Sequence, residues 1–470
     1  MSKQRKSVGV YVGRIFVGLL VILFGLILWK RPDNAIRIAT ASISDVMCSG
    51  VFVSGLPPER AFDESFATDK GLKVLLPGLH YVVDRANRRI TTDWHGRFSS
   101  VSTYYPSYGC ALPWQTPRVG TLQAAHEVTN PPEIRPLVES NDPEIRDALA
   151  RAFAEPATGA RRHVHAIVVM HNGDIIAERY ANGFDPDTPL LAYSVSKSVI
   201  NALVGILVKQ GRLDVHALAP VAAWNGPADP RHTLTLDNLL RMTSGLALTE
   251  DDSGFDPVSI MMFQKSDMAT YAAQAKLKAK PGTEWEYSSG NTLIVAGVLR
   301  DAVGGGAAGM IRFAHRELFD AIGMRHVLME FDGAQTLIGS TRIYASARDW
   351  ARFGRLYLDD GVANGRRILP SQWNTYSSSP TLDAPYGAGF WSNVPAPGDK
   401  EPRIAGLPAD AYFASGMNGQ RIVIVPSRHL VIVRFGTTVD PPNFDMKGLV
   451  RLVADISGAV SDTPIDASLK

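Results

Sequence analysis

Between Val8 and Trp29 the chain runs for twenty-two residues with Arg14 as its single charge. At 1.5 Å per residue such a segment crosses a hydrocarbon core as a helix, and lipid permits it little else. Ile15 to Trp29 alone, fifteen uncharged residues, would fall short. Arg14 lies one turn inside the end, where it can snorkel to the interface. The segment therefore reads as an uncleaved anchor over 8–30 behind a short tail, 1–7. A cleaved signal peptide is the alternative, because Ala39-Thr40-Ala41 fits the small-residue cleavage pattern, although ten residues beyond Trp29. Lys3, Arg5 and Lys6 precede the segment while Lys30, Arg31 and Arg37 follow it, so flanking charge leaves the orientation nearly tied. Cys48 and Cys110 are the only cysteines. A bridge between them would suit an oxidising compartment, and two buried free thiols are the other reading. The expectation is a single-pass protein of a bacterial inner membrane with its body in the periplasm or outside.

Beyond the anchor the chain is long enough for a small unit and one large enzyme domain. Residues 31–112 read as a β-rich extension, with short strands from about residue 42: Leu79 to Asp84, Arg89 to Trp94 and Phe98 to Tyr105. Prolines at 113, 117, 131, 132 and 136 mark 113–140 as a linker. Asn141-Asp142-Pro143 then opens a helix, and Val164 to Met170 and Asp174 to Tyr180 form two strands around His171-Asn172-Gly173. Arg421 to Phe435 reads as a terminal hairpin before a tail over 461–470. Strands at both ends with helices between them predict an α/β or α+β enzyme domain over 141–460. Lys+Arg 48 against Asp+Glu 46 gives no basic footprint for nucleic acid. Two cysteines exclude a zinc ribbon or an iron–sulfur site.

Ser194-Val195-Ser196-Lys197 opens a strong helical pattern in which Ile200, Leu203, Val204, Leu207 and Val208 recur and Gly211 closes the run. Residues three apart share a helical face, so Ser194 and Lys197 can meet. Serine needs a base to become a nucleophile, and a lysine whose burial keeps a fraction neutral can serve. The bland alternative is a capping serine beside a solvated lysine. No Gly-x-Ser-x-Gly elbow is present, and His163 and His165 lack a third metal ligand. Pro281 to Asn291 offers Tyr287 in a turn-rich setting, where a phenol could relay a proton. Ala414-Ser415-Gly416-Met417-Asn418-Gly419-Gln420 precedes the last hairpin. A strand edge at Ser415 and Gly416 could pair one backbone N–H with that of Ser194 in an oxyanion hole.

With these segments in order, residues of about 140 to 455 resemble the serine β-lactamase and penicillin-binding-protein superfamily in its class C-like branch. Within it the chain is similar to 6-aminohexanoate-dimer hydrolases and lactamase-like carboxylesterases. Tyr193 to Ser198, Leu239 to Leu246, Pro281 to Asn291, Ser346 to Gly354 and Gly419-Gln420 carry the likeness. The resemblance implies an antiparallel sheet with helices on both faces and an all-helical insertion. It implies Ser194 as acylated nucleophile, Lys197 as base, Tyr287 as proton relay, and no metal or organic cofactor. The expected partner is a small-molecule amide or ester substrate. Two departures qualify it. The family's second motif is often Tyr-x-Asn, here Tyr287-Ser288-Ser289, and Ala411 to Gly416 holds no lysine or histidine where Lys-Thr-Gly stands in lactamases. That weakens a β-lactamase or D-amino-acid peptidase reading and favours a neutral or small substrate. The acidic loop from Glu250-Asp251-Asp252 to Asp256 either meets a substrate amine or is simply solvated. A catalytically weak binding or sensor protein on the same fold is the rival function.

Overall fold

The computed structural model describes residues 32–66, 71–127, 136–158, 161–438 and 444–460, and the expected anchor over 8–30 lies outside them. The described chain opens with helix α1 (Pro32–Cys48), extended by a wide turn over Ser49–Val53, and helix α2 (Pro58–Ser65). Residues 42–53 and 58–65, expected as strands, are thus helical. Ile36, Ile38, Thr40, Ile43 and Val46 favour strands locally, but packing against the body overrides that preference. Pro32–Val53 is long and apolar enough to cross a membrane, yet 61% of its apolar window is buried inside the protein. Its Asp45 is ion-paired with Arg342, so it is held as a helix of the folded body.

Strands β1 (Leu79–Asp84), β2 (Arg89–Trp94), β3 (Arg97–Tyr105) and β4 (Gly109–Ala111) follow as an antiparallel meander. Cys48 and Cys110 form a disulfide that ties the end of α1 to β4. Two buried polar clusters join this extension to the rest. Asp45 meets Arg342 and Ser102, while Cys110 N donates to Glu330 Oε1 at 2.8 Å. Burial pushes Glu330 up to about 8, so it keeps a proton at neutral pH and leaves Arg342 to Asp45. In the second cluster Glu64 of α2 accepts from His165 at 2.7 Å and from Thr437 at 3.0 Å. The segment expected as a linker contains a helix, Val119–Glu127.

The larger body is a six-stranded antiparallel sheet with helices on both faces. In chain order it comprises α3 (Pro143–Phe153), β5 (Val164–His171), β6 (Asp174–Tyr180), α4 (Ser196–Lys209), α5 (Ser289–Val303) and α6 (Ala347–Leu358), then β7 (Trp391–Ser392), β8 (Tyr412–Gly416), β9 (Gln420–Val425), β10 (Leu430–Gly436) and α7 (Met446–Ala459). The strand order is β7-β8-β9-β10-β5-β6, so the chain's last hairpin pairs with its first. Alternate side chains leave the sheet on opposite sides. Ile167, Val169, Val423, Val425 and Ile432 face α3 and α7. Ala166, Val168, Ile422, Ile424, Val431 and Val433 face the main core with Trp350 and Phe353 of α6. Strands buried on both faces read as the continuous apolar runs seen in the sequence. The insertion between α4 and α6 is built mainly of helices and turns, and α5 is its most buried element.

Candidate active site

Asp142 caps α3 by accepting from Glu144 N at 2.8 Å, and the sheet it covers supports the segment entering the site. There Tyr193–Val195 form a tight turn that runs directly into α4. Tyr193 holds φ at +47°, a conformation that costs an aromatic residue energy and persists only where packing enforces it. Its hydroxyl accepts from Asn418 Nδ2 at 3.3 Å, which fixes the turn against the end of β8. The next residue is Ser194, half-buried, with Lys197 one turn further on.

Lys197 is only 3% exposed. Its Nζ lies 2.9 Å from Ser194 Oγ, 3.0 Å from Ser289 Oγ and 3.2 Å from the carbonyl oxygen of Ser340. It also stands 4.7 Å from the centroid of the Tyr287 ring. Removal from water lowers its pKa from 10.5 to about 8, against the charges of Glu250 and Asp252, which hold the proton on. Burial and the Glu250 charge push the Tyr287 phenol well above its ordinary value, while its bond to Ser194 and the Arg421 charge pull the other way. Tyr287 is therefore a neutral donor at physiological pH. The structure thus brings together Ser194, Lys197 and Tyr287, the three residues singled out from sequence.

The second segment is held by the insertion. Glu286 N donates to Met242 O at 2.9 Å and Gly282 N to Thr243 O at 2.8 Å, so the Leu239 to Leu246 stretch carries the Tyr287 turn. Ser288 caps α5 through Gly290 N at 3.1 Å, and Asn291 Oδ1 accepts from Ser244 at 2.7 Å. Ser289, the residue that departs from the Tyr-x-Asn pattern, contacts Lys197 directly. Glu250 in turn accepts from both the backbone N–H of Ser289 and, at 2.8 Å, its hydroxyl. The sequence names Ser289 only as a motif departure and Glu250 only as part of the acidic loop, and it gives no sign of the Ser340 carbonyl. The available signal was that whatever fills the third place of that motif must face the lysine.

The acidic loop divides its labour. Asp256 caps the helix Pro257–Gln264 through Ser259 N at 2.9 Å, and Asp251 holds Ser253 N at 3.0 Å. The Asp252 carboxyl is pushed up to about 6 by its withdrawal from bulk water and by Glu250 and Asp256, although the residue keeps exposed surface.

Ser415 and Gly416 lie on β8 beside the serine turn. A Cβ on Gly416 would stand 2.3 Å from Ala192 O, so only glycine allows this approach. In register, Ser415 faces Arg421 of β9, whose Nη1 donates to Gly416 O at 3.0 Å. Arg421 thus brings a buried cation to the end of β8, where its guanidinium lies 4.2 Å over the Phe444 ring. Trp391 stacks on Tyr287 at 5.9 Å between ring centroids, and Tyr386 meets it edge-on at 5.6 Å. With Trp285 they form an aromatic wall. A cavity of about 230 Å³ lies elsewhere, between α3 and α7. There Arg162 pairs with Asp445 and Arg151 with Asp455, with no nucleophile beside a base. His165, which with His163 lacks a third metal ligand in the sequence, is occupied by Glu64.

The Beta-lactamase family model matches residues 149–456. A 6-aminohexanoate-dimer hydrolase of Paenarthrobacter ureafaciens is 26% identical over 376 residues, 74% of this chain and 91% of that protein. Among solved structures, a penicillin-binding protein homolog from Caulobacter crescentus superposes with a TM-score of 0.55 at 17% identity, covering 70% of this chain and 100% of its own. A family VIII carboxylesterase gives 0.54 at 16% identity with the same coverage of both chains. At these identities the two structures speak to the fold.

Proposed function

This chain belongs to the beta-lactamase family, and from that premise we propose that it is a membrane-anchored serine hydrolase cleaving a small amide or ester through an acyl-enzyme on Ser194. The observation that carries this reading is the buried Lys197 amine 2.9 Å from Ser194 Oγ. Neutral Lys197 takes the Ser194 proton as the oxygen attacks the carbonyl carbon. The N–H groups of Ser194 and of the β8 edge at Ser415 and Gly416 receive the developing oxyanion. Tyr287 passes a proton to the leaving amine or alkoxide, and water then releases the acid.

The half-buried rings of Trp285 and Trp391, backed by the buried Tyr386, suit an apolar chain beside the scissile bond, and the Asp252 carboxyl at the loop suits an amine on the substrate. Both fit a short amino-acid amide of the kind named for the Paenarthrobacter relative. Carboxylic esters are the second class, as in the name of the carboxylesterase. The Cys48–Cys110 bridge supports a body in an oxidising compartment, and the apolar run over 8–30 supports an uncleaved anchor. A labelled fluorophosphonate tests the nucleophile: wild type should label and Ser194→Ala should not. Equal labelling of the two would sink the reading. A C-terminal reporter active only in the cytoplasm tests topology and should remain silent.

A further inference from the structure

The hydrogen-bond directions around Lys197 are over-determined, and they lead to a residue with no part in the Ser–Lys–Tyr set. A neutral amine has two N–H donors and one lone pair, and three oxygen atoms surround Lys197 Nζ. The Ser340 carbonyl can only accept, so it takes one N–H. Ser289 Oγ could in principle either donate or accept. Its single proton, however, is directed at the Glu250 carboxylate, 2.8 Å away, and a carboxylate is the stronger acceptor. Glu250 is itself fixed by the Ser289 backbone N–H at the first turn of α5, where the positive helix end favours a carboxylate. Ser289 is therefore left as an acceptor for Lys197 and takes the second N–H. The lone pair then has one direction remaining, toward Ser194 Oγ.

We propose that Glu250 is a positioning residue which, by accepting the Ser289 hydroxyl proton, aims the Lys197 lone pair at Ser194. This deepens the hydrolase reading above and rests on it. In the acylation step the Ser194 O–H bond breaks, its proton goes to the Lys197 lone pair, and Oγ bonds to the substrate carbonyl carbon. The resulting ammonium has three N–H groups and already faces three acceptors. Glu250 thus does for the lysine what a buried carboxylate does for a catalytic histidine, with Ser289 as the intermediary. A second consequence is electrostatic. Glu250 and Asp252 both favour the ammonium, while burial and the neutral Tyr287 ring beside Nζ offer no opposing charge. Removing the Glu250 charge therefore makes Lys197 easier to deprotonate.

The test is the single-turnover acylation rate of the full chain with a p-nitrophenyl ester across pH. Glu250→Ala and Ser289→Ala should each slow acylation about 100-fold, at the low end of what a positioned base supplies. The double variant should be no slower than either, because both act on one path. Ser289→Asn placed in Glu250→Ala should restore most of the rate, since an amide carbonyl accepts from Lys197 without a hydroxyl proton to orient. Glu250→Gln keeps the acceptor oxygen and loses the charge. It should keep most of the rate while its acid limb moves to lower pH, a shift that a merely structural residue would not produce. If Glu250→Ala fails to fold, the Gln variant and Ser289→Ala still decide the matter. An unchanged rate and pH profile in the Glu250 variants, additive losses, or no rescue by Ser289→Asn would overturn the proposal while leaving Ser194 as nucleophile. Absence of any Ser194 adduct in wild type would instead remove the hydrolase reading, and this proposal would fall with it.

Discussion

The sharpest quantitative consequence of the site is the pH dependence of acylation. Lys197 acts as a base only when neutral, and its burial brings its midpoint to about 8. At pH 7 about one Lys197 in eleven is then neutral, against about one in three thousand for a solvated lysine near 10.5. Burial, net of the opposing Glu250 and Asp252 charges, thus raises the active fraction roughly 300-fold, equivalent to about 3 kcal/mol of folding free energy placed at the site. The sign follows from the unfolded chain, which binds the lysine proton more tightly between about 8 and 10.5. Burial therefore costs stability below about 8, and that cost fades as pH rises to 10.5. Single-turnover acylation by a p-nitrophenyl ester should rise about tenfold per pH unit below about 8 and level above it, so that about 90-fold separates pH 6 from pH 9. Lys197→Arg, which keeps the cation but is never neutral, should be almost inactive at every pH. An acid limb centred near 6.5, the histidine value, or no limb at all, would refute the assignment of Lys197 as base.

Three further consequences concern the frame around the site. Gly416→Ala drives a methyl group toward Ala192 O, 2.3 Å from the ideal position, so acylation should fall at least tenfold while circular dichroism stays native; an unchanged rate would show that β8 does not line the reaction. Cys48→Ser with Cys110→Ser opens a link between residues 62 apart, which should cost about 4 kcal/mol in denaturant unfolding under the chain-entropy account; a loss under 1 kcal/mol would contradict that. Arg342→Met leaves Asp45 and Glu330 buried together without a cation and should cost about 3–5 kcal/mol at neutral pH. That deficit should shrink as pH falls and Asp45 protonates as Glu330 already has, and a deficit that grows instead would refute the ion-pair account.

The parts of the fold legible in the sequence are those where one local rule decides the outcome. The hairpins at Val164 to Tyr180 and Gln420 to Gly436 announce themselves by apolar runs around short turns, and Asp142-Pro143 marks a helix start by capping chemistry alone. Ser194 and Lys197 were readable because helical spacing forces them together. What stayed hidden depends on distant partners. The β-branched residues of α1 look like a strand until Asp45 meets Arg342, nearly three hundred positions later. Ser289 and Glu250 are 39 residues apart and become one unit only when the insertion folds against α5. The acidic loop offered a substrate amine or plain solvent, and neither describes Glu250, whose carboxylate is turned inward onto Ser289. The Ser340 carbonyl is invisible in principle, because every residue has one. Arg421 is set beside Gly416 only by sheet register with the adjacent strand, which no local motif announces.

The central claim is that Ser194 carries a covalent acyl group during turnover, and it can be weighed directly. Rapid acid quenching of the enzyme with a p-nitrophenyl ester, followed by intact-mass measurement and peptide mapping, should find one added acyl group on the peptide containing Ser194. The adduct should form in wild type, be absent in Ser194→Ala, and form far more slowly in Lys197→Arg. Turnover of the ester with no adduct at any quench time, or an adduct on any other residue, would contradict the account.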